Sequence, residues 1–241
     1  MRHEPLMIAC LNDLSGRTRG KGYPQAQREQ RSTSGVGWTP ANALISCFDH
    51  IVPSPYGSLG DLVLRPARDA EVEVELDSGQ RIHFALGNVA HTDGTAWECC
   101  LRTIAQDALA RLHAETGLQV YVAFEHEFVF APSQDATGQG AAGDTGAAFS
   151  LDGFLRGQGF GETLMGALRQ AGVQPDTFLR EFGRDQYEVT NDPARGIAAA
   201  DQAVILRELV REVARTQDRK VSFASLLAPG GIGNGGHVHL S

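Results

Sequence analysis

The segment Val120 to Phe130 constrains the fold more than any other part of the chain. Val120, Val122, Phe124, Phe128 and Phe130 alternate onto one face of an extended strand, and Tyr121, Ala123, Glu125, Glu127 and Val129 onto the other. A period of two is the signature of a strand with one apolar face to bury. The opposite face carries Glu125 and Glu127, about 7 Å apart along the backbone. Two aligned carboxylates on an otherwise apolar strand need a counter-charge, and a divalent cation supplies it economically. Alone, an acid-x-acid pair is more often a solvent-facing edge, and the strand by itself leaves both readings open.

A second acidic pair, Glu181 and Glu188, flanks Phe182-Gly183-Arg184-Asp185-Gln186-Tyr187. Their odd separation puts them on opposite faces of a single strand. Gly183 to Gln186 can turn, however, and a hairpin sets both ends side by side. Surface acids on a hairpin fit the same pattern. Further on, Gly230 to Gly236 holds five glycines in seven residues and leads into His237-Val238-His239-Leu240-Ser241. Glycine lets a backbone approach a ligand closely, and His-x-His on a strand places two imidazoles on one face. The glycine run alone also fits a hinge or a turn.

The rest of the chain frames these elements. Up to about Gly94, short apolar runs (Leu6 to Leu11, Leu62 to Leu64, then Val72, Val74 and Leu76, then Ile82 and Phe84) are broken by turn residues, which predicts a small strand-rich unit. Residues 17–34 carry Arg17, Arg19, Lys21, Arg28 and Arg31 with little apolar content. They read as an exposed loop, either merely solvated or touching substrate. Helices are expected over Glu98 to Thr116, with Gly117 as its stop, Gly161 to Ala171, and Ala194 to Thr216. Further strands are expected near Thr177 to Phe182, Tyr187 to Thr190 and Val221 to Leu227. Ala131 to Ala148 is small and polar and reads as a mobile insertion.

In order and spacing, the Glu-x-Glu strand, the Glu-x6-Glu hairpin and Gly-x-Gly-Asn-Gly-Gly-His-Val-His-Leu-Ser resemble the signature series of the glutamine synthetase superfamily. The front half agrees through Asn12-Asp13-Leu14-Ser15-Gly16 with Arg19-Gly20-Lys21, Gly35-Val36-Gly37-Trp38, and Asp61-Leu62-Val63-Leu64-Arg65-Pro66. The resemblance implies an α+β fold: a small N-terminal β-grasp-like domain over residues 1–94, then the front part of a catalytic domain over 95–241, with an antiparallel sheet and flanking helices. It implies an ATP-dependent ligase that activates the side-chain carboxylate of glutamate as an acyl phosphate for attack by an amine. Glu127, Glu181 and Glu188 match ligands of the metal nearer the amino acid, and Glu125 and His237 match ligands of the metal across the nucleotide phosphates. His239 and Ser241 match nucleotide contacts, and Gly233 with Asn234 the glutamate-binding loop. Oxygen-rich ligands with one imidazole suit Mg2+ or Mn2+.

Two departures qualify the match. Where ammonia-using members carry an ammonium-binding aspartate, the aligned position is about Arg31. This leans the expectation toward an organic amine, as in glutamylpolyamine synthetase-like branches. Family members also continue past the point where Ser241 stands, supplying a further metal glutamate and phosphate-clamping arginines. The expectation is therefore a truncated chain, inactive alone, or alternatively a non-catalytic family member acting as a binding or assembly partner. A ring-forming homo-oligomer is implied for the full-length protein.

The bulk numbers exclude other classes. With 21 Lys+Arg against 29 Asp+Glu in 241 residues, the net charge is -8, which disfavours nucleic acid as a partner. Leu6 to Leu11 is too short for a signal peptide or a membrane span, so no membrane partner and a cytoplasmic location are expected. Cys10, Cys47, Cys99 and Cys100 lack zinc-binding spacing and read as reduced packing residues. A metal-dependent hydrolase lacks a general-base motif such as His-Glu-x-x-His.

Overall fold

The computed structural model describes residues 3–57, 59–131 and 146–241. Most of the predicted insertion at 131–148 lies outside the described residues. The fold is α+β. The chain forms two compact units with interleaved segments: residues 1–74, 81–120 and 195–204 make the first, and residues 75–80, 121–194 and 205–241 the second.

In the first unit, β1 (Leu6–Asn12), β2 (Thr18–Pro24), β3 (Val36–Trp38), β4 (Leu62–Glu75) and β5 (Arg81–His91) make a five-stranded sheet in the order β2-β1-β5-β4-β3. β1 runs antiparallel to β2 and parallel to β5. Met7, Ala9 and Leu11 of β1 point inward by the two-residue period and pack with Leu62, Leu64, Val89, Trp38 and Trp97. Gly87 is required because a Cβ there would lie 2.2 Å from the carbonyl oxygen of Arg65 on the neighbouring strand.

Residues 17–34 are not the exposed loop that their charge predicts. They fold as β2 and then α1 (Arg28–Ser34). Their cations find partners elsewhere: Arg19 pairs with Asp13 at 2.7 Å, Arg28 with Glu71 at 2.7 Å, and Lys21 lies 5.4 Å over the Trp38 ring. Helix α2 (Leu101–Thr116) follows and ends on Gly117 at φ +73. All four cysteines are free. Cys10 and Cys100 are buried and Cys99 is half-buried, whereas Cys47 is exposed and is not a packing residue.

The second unit is built on β6 (Tyr121–Phe130). It pairs antiparallel with β8 (Gln186–Asn191), which pairs with β7 (Pro175–Arg180). β9 is a short strand, Ala194–Arg195. β10 (Val221–Ser222) and β11 (Gly236–Leu240) both pair antiparallel with β6. The strand expected over Val221 to Leu227 thus pairs through two residues only. Phe128 and Phe130 are buried and meet Phe160 and Tyr187 at ring separations of 4.9–6.3 Å.

Helix α3 (Leu151–Gln170) begins ten residues before its predicted start at Gly161, with Ser150 capping the Gly153 amide. Helix α4 (Ile197–Thr216) buries Leu206, Leu209, Val210 and Val213 at three- and four-residue spacing. Among the described residues, no helix is long and apolar enough to cross a membrane.

Candidate metal centre

β6 carries the polar face the sequence anticipates. Phe128 and Phe130 go to the core, and Glu125 and Glu127 go to the other side. The register then sets Glu127 directly opposite Glu188 on β8. Like charges directly across a ladder repel, so the sheet builds a repulsion into its own centre.

The β7–β8 turn adds a third acid. The Glu181 amide donates to the Gln186 carbonyl at 2.9 Å and the Gln186 amide to the Gly183 carbonyl at 3.2 Å, closing the anticipated hairpin. Buried Arg180 aims Nη1 at the carbonyls of Glu181, Gly183 and Gln186, which holds the turn. On the other side of β6, His237 of β11 lies opposite Glu125.

Two donor sets result, Glu125–Glu188–His237 and Glu127–Glu181–Glu188, each with ligand atoms within 4.8 Å of one another. Glu188 belongs to both. Burial first, then Glu125, Glu181 and Glu127, push its carboxyl up to about 7, with His237 opposing. Among the described residues no Lys or Arg pairs with these four acids. Their contacts are the imidazoles of His237 and His239, each 2.9 Å from Glu125, and amide N–H groups. Converging carboxylates without a cationic side chain, plus one imidazole, are the donor chemistry of a hard divalent cation, so the residues present fit Mg2+ or Mn2+.

The glycine run closes over this centre. The Gly235 amide donates to Glu127 Oε2 at 2.8 Å, and a Cβ on Gly235 would sit 2.5 Å from Glu127 Oε1. The bare glycine therefore leaves that oxygen uncovered. Gly233 is held at its carbonyl by Gln186, and a Cβ there would meet the Ser225 carbonyl at 2.6 Å. Asn234 spends its side-chain N–H groups on the carbonyls of Ser222 and Ala224. Ser241 pairs with Tyr121 through backbone bonds in both directions. Two groups escaped the sequence reading. One is Arg180. The other is Gln186, whose side chain is fully buried beside Glu127. Its signal was parity: two residues before Glu188, it shares that residue's face of β8.

The profile of the glutamine synthetase catalytic domain matches residues 98–241, and that of the glutamine synthetase N-terminal domain matches residues 1–97. The chain belongs to the glutamine synthetase family. Among curated relatives, it is 29% identical to gamma-glutamylpolyamine synthetase GlnA3 of Streptomyces coelicolor, over 98% of this chain and 50% of that protein. It is 23% identical to glutamine synthetase of Pyrococcus horikoshii, over 95% of this chain and 48% of that protein. A crystal structure described as a novel glutamine synthase homolog superposes with a TM-score of 0.88 at 42% identity, over all of this chain and 56% of that one. The chain spans about half the length of the curated relatives it matches.

Proposed function

We propose that this glutamine synthetase family chain belongs to an ATP-dependent carbon–nitrogen ligase that activates the side-chain carboxylate of glutamate, or an analogue, for attack by an organic amine. The observation that carries the reading is the pair of donor sets sharing Glu188. Glu127, Glu181 and Glu188 would hold one divalent cation, and Glu125, Glu188 and His237 a second. Such cations neutralise the approach of two anions, ATP phosphate and substrate carboxylate. The chain's own groups orient the site. Gly235 and Gln186 fix Glu127 by one oxygen, Gly233 and Asn234 shape the amino-acid side, and His239 and Ser241 face the nucleotide. Residues 1–94 would form the N-terminal domain of each subunit in a cytoplasmic ring.

The amine preference rests on Arg31, where ammonia-using members carry an aspartate, and on the gamma-glutamylpolyamine synthetase relative. In this structure Arg31 bonds Gln27 Oε1 at 3.0 Å and the Gly35 carbonyl at 3.3 Å. The test is phosphate release by the purified whole protein that carries this chain, with ATP, glutamate and Mg2+ or Mn2+, screened over ammonium and small mono- and diamines. The expected result is turnover with an organic amine above that with ammonium, abolished by Glu188→Gln. Equal rates with ammonium would overturn the amine assignment. No phosphate release with any acceptor would overturn the ligase.

A further inference from the structure

Gln186 is fully buried, and every polar atom of its side chain is engaged. Its Oε1 accepts from the Gly183 amide at 2.7 Å, inside the turn that carries Glu181. Its Nε2 faces three acceptors: Glu127 Oε2 at 2.8 Å, the Gly233 carbonyl at 2.8 Å and Asn234 Oδ1 at 2.9 Å. One amide thus touches an acid of the donor set, the hairpin bearing the other two acids, and two residues of the glycine run. A buried primary amide has two N–H hydrogens, so three acceptors within 2.9 Å compete for them. Glu127 Oε2 is shared in turn between Gln186 and the Gly235 amide.

We infer that Gln186 is a positioning residue that couples occupancy of the Glu127–Glu181–Glu188 cation site to the order of the loop Gly230–Gly236. The reasoning is electrostatic. While the three acids lack a cation, Glu127 competes for the Gln186 N–H groups with full anionic strength. A cation on Glu127 Oε1 withdraws charge from that carboxylate. The Nε2 hydrogens then shift toward Gly233 and Asn234, which Asn234 passes to the 222–225 segment through its bonds to Ser222 and Ala224. The loop tightens as the site fills. This inference rests on the cation centre proposed above and not on which amine the protein uses.

Mn2+ alone is the probe. Purified protein is titrated with Mn2+ by electron paramagnetic resonance of the free ion, and hydrogen exchange of amides 230–236 is followed across the titration. Wild type is expected to show slower exchange in this loop as Mn2+ binds. Gln186→Met keeps the side chain's length and shape and removes all four bonds. It is expected to weaken Mn2+ binding roughly 10–100-fold, the usual effect of losing a group that orients a metal ligand, and to leave the loop unprotected even at saturating Mn2+. Unchanged affinity together with normal loop protection in this variant would overturn the inference. Should it fail to fold by circular dichroism, Asn234→Ala decides: Mn2+ affinity retained with loop protection lost supports the coupling, and full protection overturns it. The two proposals fail separately. Wild type that binds Mn2+ without changing loop exchange sinks the coupling only. Wild type that protects its loop but releases no phosphate with any amine sinks the ligase only.

Discussion

The two units handle buried charge in opposite ways. In the first, each inward carboxylate meets a cationic side chain. Arg102 grips Asp201 through Nε at 3.0 Å and Nη2 at 2.9 Å, and reaches Asn88 at 2.6 Å. Burial by itself would raise Asp13, but hydrogen bonds from Arg19, Ser15 and the Arg17 amide hold it below the usual carboxylate range. Glu71 is likewise held down, against its burial, by Arg28 and His83. In the second unit, four glutamates converge with only imidazoles and amides as partners among the described residues, and Glu188 rises to about 7. The cations proposed above would supply the counter-charge that no Lys or Arg gives this cluster among the described residues.

The largest effect expected from this contrast is at Arg102. Arg102→Met leaves Asp201 as a buried carboxylate without its partner, which costs about 3–5 kcal/mol and is readable as a lowered urea midpoint. Next comes the pH dependence at Glu188. Its folded value near 7 lies above the ordinary 4.5, so the folded state binds this proton more tightly than the unfolded chain. The stabilisation is full below about 4.5 and is lost as pH rises through about 7, a decline of roughly 3 kcal/mol. His126 runs the other way. Burial, with Arg207, pushes it down to about 4 from 6.5, so its contribution is present above 6.5 and lost as pH falls through 4. The difference between wild type and Glu188→Gln in urea melts from pH 5 to 8 therefore isolates the glutamate. Wild type should lose stability relative to the variant as pH rises, and saturating Mn2+ should reverse the trend by taking the proton's place. A variant that declines in parallel with wild type would dissolve the contrast between the units.

Much of the site was legible because strand parity is a strong constraint. Alternation over 120–130 placed Glu125 and Glu127 on one face, and Gly183 forecast the turn that brings Glu181 to Glu188. The misreadings have physical causes of their own. Residues 17–34 looked like a loop because their partners, Asp13, Glu71 and the Trp38 ring, lie outside that window. Helix α3 was read from Gly161 because Gly153, Gly157, Gly159 and Gly161 depress local helix propensity. Three of those glycines are explained only by the tertiary fold. A Cβ on Gly157 would sit 2.3 Å from Tyr187, one on Gly161 2.6 Å from Phe178, and one on Gly153 2.1 Å from the Ala147 carbonyl. The helix lies close on β7 and β8 because it lacks side chains there. Gln186 was overlooked, despite sharing Glu188's face by parity, because an amide gains its role from what surrounds it, and its partners are up to 59 residues away in sequence.

The smallest effect sharpens the contrast most, because it separates stability from binding within the cluster itself. Glu125 accepts from or pairs with both His237 and His239, yet those imidazoles are 58% and 62% exposed. Solvent screens such pairs, so Glu125→Gln should change folding stability by less than about 1 kcal/mol. The substitution keeps one oxygen acceptor and also removes a negative neighbour from Glu188, which lowers the apparent value of that carboxyl. The Glu125–Glu188–His237 set nevertheless loses an anionic ligand, so Mn2+ binding at that set should weaken while the urea midpoint holds. A cost near that of Arg102→Met would mean that Glu125 is a structural partner of the two histidines. The second unit would then bury its charge on the same terms as the first.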